Sequence, residues 1–175
     1  MTLSEGILNF MPHLLSLFDG TGSIGVDFRR AGWDITSVDI DGSHGATVVT
    51  DIRLWDYKSS PCPDVIWAGP PCEQYSLART RAKLPRNLAL ADELVRTAWE
   101  IISYYLHQNP RLLWFVENPL TSQLWRRQVA DVFEQRTDLS YCSYGTLYQK
   151  KTRIAHNSSW RPRAICSAET CLYYR

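Results

Sequence analysis

The run Val65-Ile66-Trp67-Ala68-Gly69-Pro70-Pro71-Cys72 joins an apolar segment to a turn that carries a cysteine. Four consecutive apolar residues are typical of a strand buried on both faces of a parallel sheet. The glycine and two prolines end that strand and fix the backbone that presents the thiol of Cys72. A second run, Phe115-Val116-Glu117-Asn118-Pro119, also ends an apolar strand, here with a carboxyl group. Because ligands bind at the carboxyl ends of parallel strands, we expect the thiol and the carboxyl group to face each other there.

Apolar runs alternate with helical patterns along the chain, which favours a parallel sheet with crossover helices. The hydrophobic pattern predicts strands at 14–18, 35–38, 46–50, 65–68, 112–116, 139–144 and 152–156, and helices at 24–31, 91–107 and 124–134. Beyond Trp160 the pattern ends in an irregular tail, about 160–175. We therefore predict a single domain over residues 1–175 with an α/β, Rossmann-like fold, a mostly parallel sheet and helices on both faces.

Composition excludes several classes of protein. The 175 residues are 45% apolar and 21% charged, which argues against disorder. There is no run of about 20 apolar residues and no basic, then apolar, leader at the N-terminus, so we expect a soluble protein that is not secreted and does not bind membranes. The five cysteines are an odd number, which favours thiols in a reducing intracellular compartment, nuclear or cytoplasmic.

Charge is uneven along the chain. Residues 1–60 carry eight acidic and four basic side chains, whereas residues 61–175 carry ten acidic and fifteen basic ones. The basic side chains of the second part form two runs: Arg79, Arg81, Lys83 and Arg86, then Lys150, Lys151, Arg153, Arg161 and Arg163. Either run could be an ordinary solvated face. Because each follows a strand end that carries a candidate catalytic residue, we favour a surface that contacts nucleic-acid phosphates.

A glycine-containing turn follows the first strand. Phe18-Asp19-Gly20-Thr21-Gly22 has two of the three glycines of a dinucleotide-binding turn, and such a turn also occurs for packing alone. Asp39 ends the second strand, where a carboxylate can accept from a ribose hydroxyl. Asp51 ends the third strand and could accept from an adenine amino group. Together these residues predict a ligand of the adenosine type, and the chain has no P-loop for a nucleoside triphosphate.

Cys72 and Glu117 each allow two interpretations. A lone cysteine is often a buried structural thiol, but two prolines before it favour a presented nucleophile, and nearby Arg79 and Arg81 could favour the reactive thiolate. Glu117 could be a helix cap or a surface carboxylate. In a semi-buried pocket it could instead donate a proton to the ring nitrogen of a base.

In the order of its motifs the chain resembles the C5-cytosine DNA methyltransferase family over roughly residues 14–155. The matching segments are Phe18–Gly22, Asp39 and Asp51 for the cofactor, 69–76 for the nucleophile, 115–118 for the Glu-Asn motif and 149–153 for the Gln-x-Arg-x-Arg motif. Glu73, Pro119 and Lys151 replace the residues usual in the family, and lysine lacks the bidentate fork of arginine. The family's target-recognition region is not evident.

The resemblance implies a methyltransferase fold that uses S-adenosylmethionine to methylate cytosine C5 in DNA. Cys72 would attack C6, Glu117 would bind and protonate N3, and Arg153 would hold O2. The base would be flipped out of the duplex. Cofactor contacts are implied for Phe18, Asp19, Gly20, Thr21, Gly22, Asp39, Ile40, Asp51, Ile52 and Pro71. DNA contacts are implied for Ser76, Arg79, Arg81, Lys83, Asn118, Gln149 and Lys151.

Two other functions fit the same sequence. One branch of the family methylates transfer RNA, and the motifs do not separate RNA from DNA. A non-catalytic module that binds nucleic acid, or a subunit that needs a partner for target recognition, would explain the absent recognition region. A metal is not predicted, because Cys166 and Cys171 are spaced four apart without a second pair, which is a weak zinc signal.

Overall fold

The computed structural model describes residues 11–77, 84–167, 169 and 171. Within them, seven strands form one sheet in the order β3-β2-β1-β4-β5-β7-β6. The elements are β1 His13–Leu17, α1 Ser23–Arg30, β2 Asp34–Asp39, β3 Val48–Val49, β4 Val65–Ala68, α2 Leu88–Gln108, β5 Leu113–Pro119, β6 Arg136–Ser140 and β7 Lys151–His156. Strands β1 to β5 are parallel to one another, and β7 lies antiparallel between β5 and β6.

The predicted α/β, Rossmann-like fold with a mostly parallel sheet is confirmed. Strand order reverses between β1 and β4, so the chain winds outward in both directions from these two central strands. In such a sheet the crevice for a ligand lies beyond the carboxyl ends of the strands at this switch point. The segments after β1 and β4 are the glycine turn and the Pro-Pro-Cys loop.

The two helices cover opposite faces of the sheet. In α2, Val95, Ala98, Ile101 and Ile102 are fully buried, and the ring of Trp99 packs edge-on 5.3 Å from Trp114 of β5. Successive residues of a strand point to opposite faces. Phe115 accordingly stacks on Trp67 of β4 on the other face, at 5.9 Å. On that face α1 packs beside β1 and β2. No helix in the described part of the chain is long and apolar enough to cross a membrane.

The predicted helix at 124–134 is wrong. The segment forms two short 3-10 turns, Gln123–Arg126 and Gln128–Ala130. Arg136 explains the difference, because its guanidinium donates to the carbonyls of Phe133 at 2.7 Å and Ala130 at 2.5 Å. Local bonds from a side chain to the backbone thus take the place of bonds within a helix, and the apolar residues are buried without helical spacing.

Of the predicted strands only Val65–Ala68 keeps its limits, and the third and sixth differ most in length or position. The third strand is only Val48–Val49, and the predicted strand 139–144 is instead Arg136–Ser140 followed by a 3-10 turn at Tyr141–Tyr144. The turn ends at Gly145, whose φ of 93° favours glycine. Residues 160–167 carry no helix or strand.

A buried ionic network ties α2 to the two segments that flank it in space. Tyr75, three residues after Cys72, donates its hydroxyl to Asp92 of α2 at 2.9 Å. Arg127, between the two 3-10 turns, donates to the same carboxylate from Nε at 2.6 Å and from Nη2 at 2.5 Å. Burial acts to raise the pKa of Asp92, but the bonds from Arg127 and Tyr75 outweigh it and the pKa is lowered.

We expect Asp92→Asn to lower the free energy of unfolding by about 1.5–3 kcal/mol at neutral pH, because it removes charge-assisted bonds from a buried site. Since the pKa of Asp92 is lower in the folded chain than its ordinary 3.8, this stabilisation is complete above that pH and is lost as the pH falls below it. Urea unfolding of both proteins across pH would measure the difference. Asp27→Asn, which breaks the exposed pair with Arg30, serves as control and should change little. An equal loss in both variants would contradict a special role for the network.

Candidate active site

A buried hydrogen bond joins the two motifs that carry the thiol and the carboxyl group. Nδ2 of Asn118 in β5 donates to the carbonyl of Pro70 at 2.8 Å, and Asn118 is fully buried. On the other side, the amide of Gly69 donates to the carbonyl of Leu17 at 3.1 Å. The two prolines have no N–H to donate, so the loop is held through its carbonyl and through Gly69. The Pro-Pro-Cys loop is therefore fixed against both neighbouring strands.

Cys72 lies half-buried at the end of this loop, near Glu117. Burial raises the pKa of the Cys72 thiol, and the charges of Glu73 and Glu117 raise it further, while Lys150 acts in the opposite direction. The described surroundings therefore keep Cys72 as a neutral thiol at neutral pH. Arg79 and Arg81, which we expected to favour the thiolate, lie outside the described residues.

Glu117 presents a buried oxygen that can meet a ligand. The side chain is 13% exposed, and Nζ of Lys150 lies 3.1 Å from Oε1. This contact is an ion pair that lacks the orientation of a hydrogen bond, so Oε1 has no hydrogen-bond partner among the described residues. The ion pair offsets the cost of burying this oxygen, and a carboxylate oxygen can accept a further donor beside the lysine.

Lys150 is a site residue that the sequence analysis did not single out for the chemistry. Its ammonium group lies over the ring of Tyr141, 5.0 Å from the centroid, as well as beside Glu117. Continuing the alternation of β7 backward from Ile154 and Thr152 places Lys150 on the face of Glu117. The alternation of side chains along β7 could have identified Lys150 as a site residue. That inference needs the register of β7 against β5, which the sequence does not reveal.

Arg153 lies on the other face of β7. It pairs with Asn118 across the ladder, whereas Glu117 pairs with Ile154. The guanidinium of Arg153 donates to Asp138 at 2.6 and 2.8 Å and lies over the ring of Trp125. The structure thus places Glu117 where its charge acts on Cys72, but holds Arg153 on the opposite face of the sheet. Its contact with a substrate stays a prediction, and one that requires the pair with Asp138 to open.

A cavity of about 190 Å³ borders the Pro-Pro-Cys loop at Pro71. Six residues predicted to contact a cofactor line it: Phe18, Asp39, Ile40, Asp51, Ile52 and Pro71. The sequence analysis missed the other five lining residues, which are Val38, Thr50, Arg53, and Leu90 and Leu94 of α2. Spacing along a helix does not distinguish apolar residues that line a ligand cavity from those that pack in the core. Pro71 belongs to both features, since it lines the cavity and precedes Cys72 in the chain.

The carboxylates of Asp39 and Asp51 in the cavity already accept hydrogen bonds from donors of the protein. Asp39 accepts from the backbone amides of Gly20 and Asp41, both at 2.8 Å. Asp51 accepts from Arg53, at 2.5 Å from Nη2 and 3.0 Å from Nε, and these bonds lower the pKa of Asp51. A carboxylate has about four acceptor positions, so Asp39 keeps capacity for a ligand. Asp51 already accepts four bonds from the backbone amide and guanidinium of Arg53, so a ligand can bind it only in exchange for some of them. A donor that reaches Asp51 must do so beside Arg53.

The glycine turn carries backbone strain where it borders the cavity. Phe18 has a φ of 57°, a left-handed conformation that is costly for an aromatic residue, and Gly20 and Gly22 share it at 54° and 71°. The turn is stabilised by Asp19, whose amide donates to Val38 at 3.2 Å and whose carboxylate accepts from Ser16 at 2.5 Å. Such strain is kept where the surrounding structure fixes it, often at functional sites.

The remaining predicted residues do not line the cavity. Thr21 is exposed in the glycine turn, and Ser76 is half-buried after the Pro-Pro-Cys loop. Gln149 directs its amide towards the sulfur of Cys166 at 3.6 Å, and exposed Lys151 accepts at its carbonyl from Leu120 at 3.1 Å. Lys83 lies outside the described residues, like Arg79 and Arg81.

No protein-family model matches the chain. A probable DNA (cytosine-5)-methyltransferase of Frog virus 3 (isolate Goorha) is 29% identical over 180 aligned positions, which cover 90% of this chain and 77% of the viral protein. Among solved structures, a human methyltransferase 10 domain containing protein is 11% identical over 88% of this chain and 75% of its own, with a TM-score of 0.43. This structural likeness is too distant to support any conclusion beyond those drawn from the strand order.

The charges around Cys72 predict opposite effects of two substitutions on the alkylation of its thiol. Glu117→Gln removes a negative charge that raises the thiol pKa, so alkylation by iodoacetamide at pH 7.5 should become faster. Lys150→Gln removes the cation and should make it slower. Peptide mass spectrometry would follow Cys72 separately from the other cysteines. Exposed Glu134→Gln is the control, and a change in the same direction for both test variants would contradict this geometry.

Proposed function

We propose that this chain is an S-adenosylmethionine-dependent DNA (cytosine-5)-methyltransferase. The observation that carries the proposal is the sharing of one loop by two sites: Pro71 lines a cavity with two carboxylates, and Cys72 follows beside Glu117. A methyl donor and a methyl acceptor must meet at one point, and this loop offers that point. The viral relative with a DNA (cytosine-5)-methyltransferase name supports the choice of reaction.

The cavity fits the nucleoside part of the methyl donor. Its walls are the ring of Phe18 and the side chains of Ile40, Ile52 and Leu90, with Asp39 and Asp51 as acceptors. Its volume of about 190 Å³ is below the roughly 300 Å³ at which sites for whole drug-sized ligands begin. Asp39 would accept from ribose hydroxyls and Asp51 from the adenine amine. When bound, S-adenosylmethionine supplies an electrophilic methyl group.

Cys72 supplies the nucleophile that cytosine lacks. Its sulfur forms a bond to C6, and the electron pair of the C5–C6 double bond becomes available at C5 for the new bond to the methyl carbon. Glu117 hydrogen-bonds N3 and transfers a proton to it as negative charge develops on the ring. The C5 proton then leaves to a base, the S–C6 bond breaks, and the N3 proton returns. Cys72 is thereby regenerated as a thiolate.

The thiol must release its proton to solvent before it attacks, and Glu117 must take up a proton from solvent before it can protonate N3. In the ligand-free chain, burial and two carboxylates hold the pKa of Cys72 above its ordinary value. Transfer of the Glu117 proton to N3 leaves a negative charge, and Lys150 at 3.1 Å from Oε1 can balance it. We infer that Lys150 serves both groups, by favouring the thiolate of Cys72 and by stabilising the carboxylate of Glu117.

The charge of the chain favours a nucleic-acid substrate, and the viral relative favours DNA. The excess of basic over acidic side chains falls in residues 61–175, which contain both motifs of the candidate site. Ser76, Asn118, Gln149 and Lys151 are proposed contacts, with the basic side chains at 79, 81 and 83, and Arg153 is proposed to bind O2. Reaching C5 requires the base to leave the stack, at a cost of a few kcal/mol. Methylation of transfer RNA would use the same chemical steps on a different nucleic acid.

Filling the cavity should weaken cofactor binding without changing a charged group. Leu90→Trp places a large ring in the cavity, and we expect affinity for S-adenosylhomocysteine in calorimetry to fall about tenfold or more, a cost of at least 1.4 kcal/mol. The adjacent exposed position offers a matched control, Ala89→Trp, which lies outside the lining. Equal affinity in the two variants would show that the cofactor does not bind in this cavity.

Transfer of labelled methyl from S-adenosylmethionine to duplex DNA, and separately to transfer RNA, tests the reaction. We expect label on DNA, a loss of roughly a thousandfold or more for Cys72→Ser, and a loss of about 10²–10⁴ for Glu117→Gln. DNA with 5-fluorocytosine should trap a covalent adduct at Cys72, because fluorine at C5 cannot leave as a proton does. Label on RNA alone would reassign the substrate. Cofactor binding with no label on either would indicate a binding module or a missing partner subunit.

A further inference from the structure

Three thiols from two distant parts of the chain meet beside the candidate active site. Cys142 lies in the 3-10 turn after β6, and Cys166 and Cys171 lie in the tail. All three sulfurs lie within 4.8 Å of one another, and those of Cys142 and Cys171 are 3.4 Å apart. Ligands about 2.3 Å from a tetrahedral zinc ion lie about 3.8 Å from each other. The spacing of these sulfurs suits a shared ion.

We propose that Cys142, Cys166 and Cys171 bind a zinc ion. Thiolates are soft ligands that favour Zn²⁺ over Mg²⁺ or Ca²⁺. Among the described residues no histidine, aspartate or glutamate joins the cluster, so the fourth position is left for water or an exogenous ligand. On binding, each of the three thiols releases its proton to solvent and gives an electron pair to the metal, which leaves the site with one net negative charge.

The surroundings support the thiolate form. The hydroxyl of Ser140 lies 3.1 Å from the sulfur of Cys142, and the amide of Gln149 donates to Cys166 at 3.6 Å. Groups that donate to ligand sulfurs orient them and stabilise their charge. Arg163 places its guanidinium over the ring of Tyr144, at 5.1 Å, and offers a positive charge to the same turn.

The tail is attached to this turn independently of the sulfurs. Arg163 donates its backbone amide to the hydroxyl of Tyr144 at 2.8 Å and its guanidinium to the carbonyl of Ser143 at 2.9 Å. Ser143 in turn donates to the carbonyl of Ala164 at 3.0 Å. Cys166 is thus delivered beside Cys142 by a segment already in place, which limits the entropy lost when the ion binds.

The ion would steady the loop that carries Lys150. Tyr141, next to Cys142, donates its amide to the carbonyl of Lys150 at 3.1 Å and lies under its ammonium group. Gln149 contacts Cys166. Metal, turn and loop therefore form one connected unit. Metal binding itself does not depend on the proposed reaction, so the two can fail separately.

Cobalt and zinc binding by the full chain test the site. We expect the protein, purified without chelators, to hold about one equivalent of zinc and the cobalt form to show a thiolate charge-transfer band. Cys166→Ser should lose this band and bind zinc at least roughly tenfold more weakly, whereas Cys62→Ser, at an exposed position, should match the wild type. Equal cobalt spectra for the two variants, or the absence of the band in the wild type, would overturn the proposal.

Protection of thiols keeps the test decisive if Cys166→Ser does not fold. In the wild-type chain, zinc should slow alkylation of Cys142, Cys166 and Cys171 by N-ethylmaleimide, a chelator should restore it, and Cys62 should react at one rate throughout. Alkylation insensitive to zinc would overturn the proposal. So would a disulfide between Cys142 and Cys171 in protein kept reduced, seen as an intact mass lighter by two hydrogens.

Discussion

The hydrogen bond from the side chain of Asn118 to the carbonyl of Pro70, at 2.8 Å, is the contact on which the candidate site depends. A loop with two consecutive prolines has few amides to donate, so its carbonyls are the available points of attachment. The amide of a buried asparagine can reach one of them from the neighbouring strand. Since Asn118 follows Glu117, this bond sets the position of Cys72 relative to Glu117.

The electrostatic arrangement around this bond favours a protonated thiol in the ligand-free chain. Glu117 and Glu73 oppose the thiolate of Cys72, and Lys150 favours it, but burial outweighs the lysine. A reactive thiolate would be open to oxidation and stray alkylation, whereas a neutral thiol is comparatively inert. The arrangement thus couples reactivity to events that change the charge on Glu117. Binding of a base that donates a hydrogen bond to the carboxylate of Glu117 would offset this charge and would be such an event.

Much of the fold could be predicted because its strands are apolar runs that end at recognisable turns. Val65–Ala68 has the predicted limits, and six predicted cofactor residues share one cavity. What failed depended on particular contacts in the folded chain. Arg136 is close in sequence, but its side chain takes the carbonyls of Ala130 and Phe133, a contact that the hydrophobic pattern at 124–134 does not show. Lys150 reaches Glu117 through a register fixed only by the folded ladder, and Cys142 meets the tail cysteines across 24 residues or more.

The second half of the chain extends the site in a way that the parallel strands alone cannot. Because β7 runs antiparallel between β5 and β6, the loop before it returns to the carboxyl end of β5, where Glu117 lies. A parallel strand there would have delivered its preceding loop to the opposite edge of the sheet. The antiparallel direction of β7 therefore brings Lys150 to the carboxyl group of Glu117. The same loop lies beside the three thiols, so the antiparallel edge links the tail of the chain to its candidate chemistry.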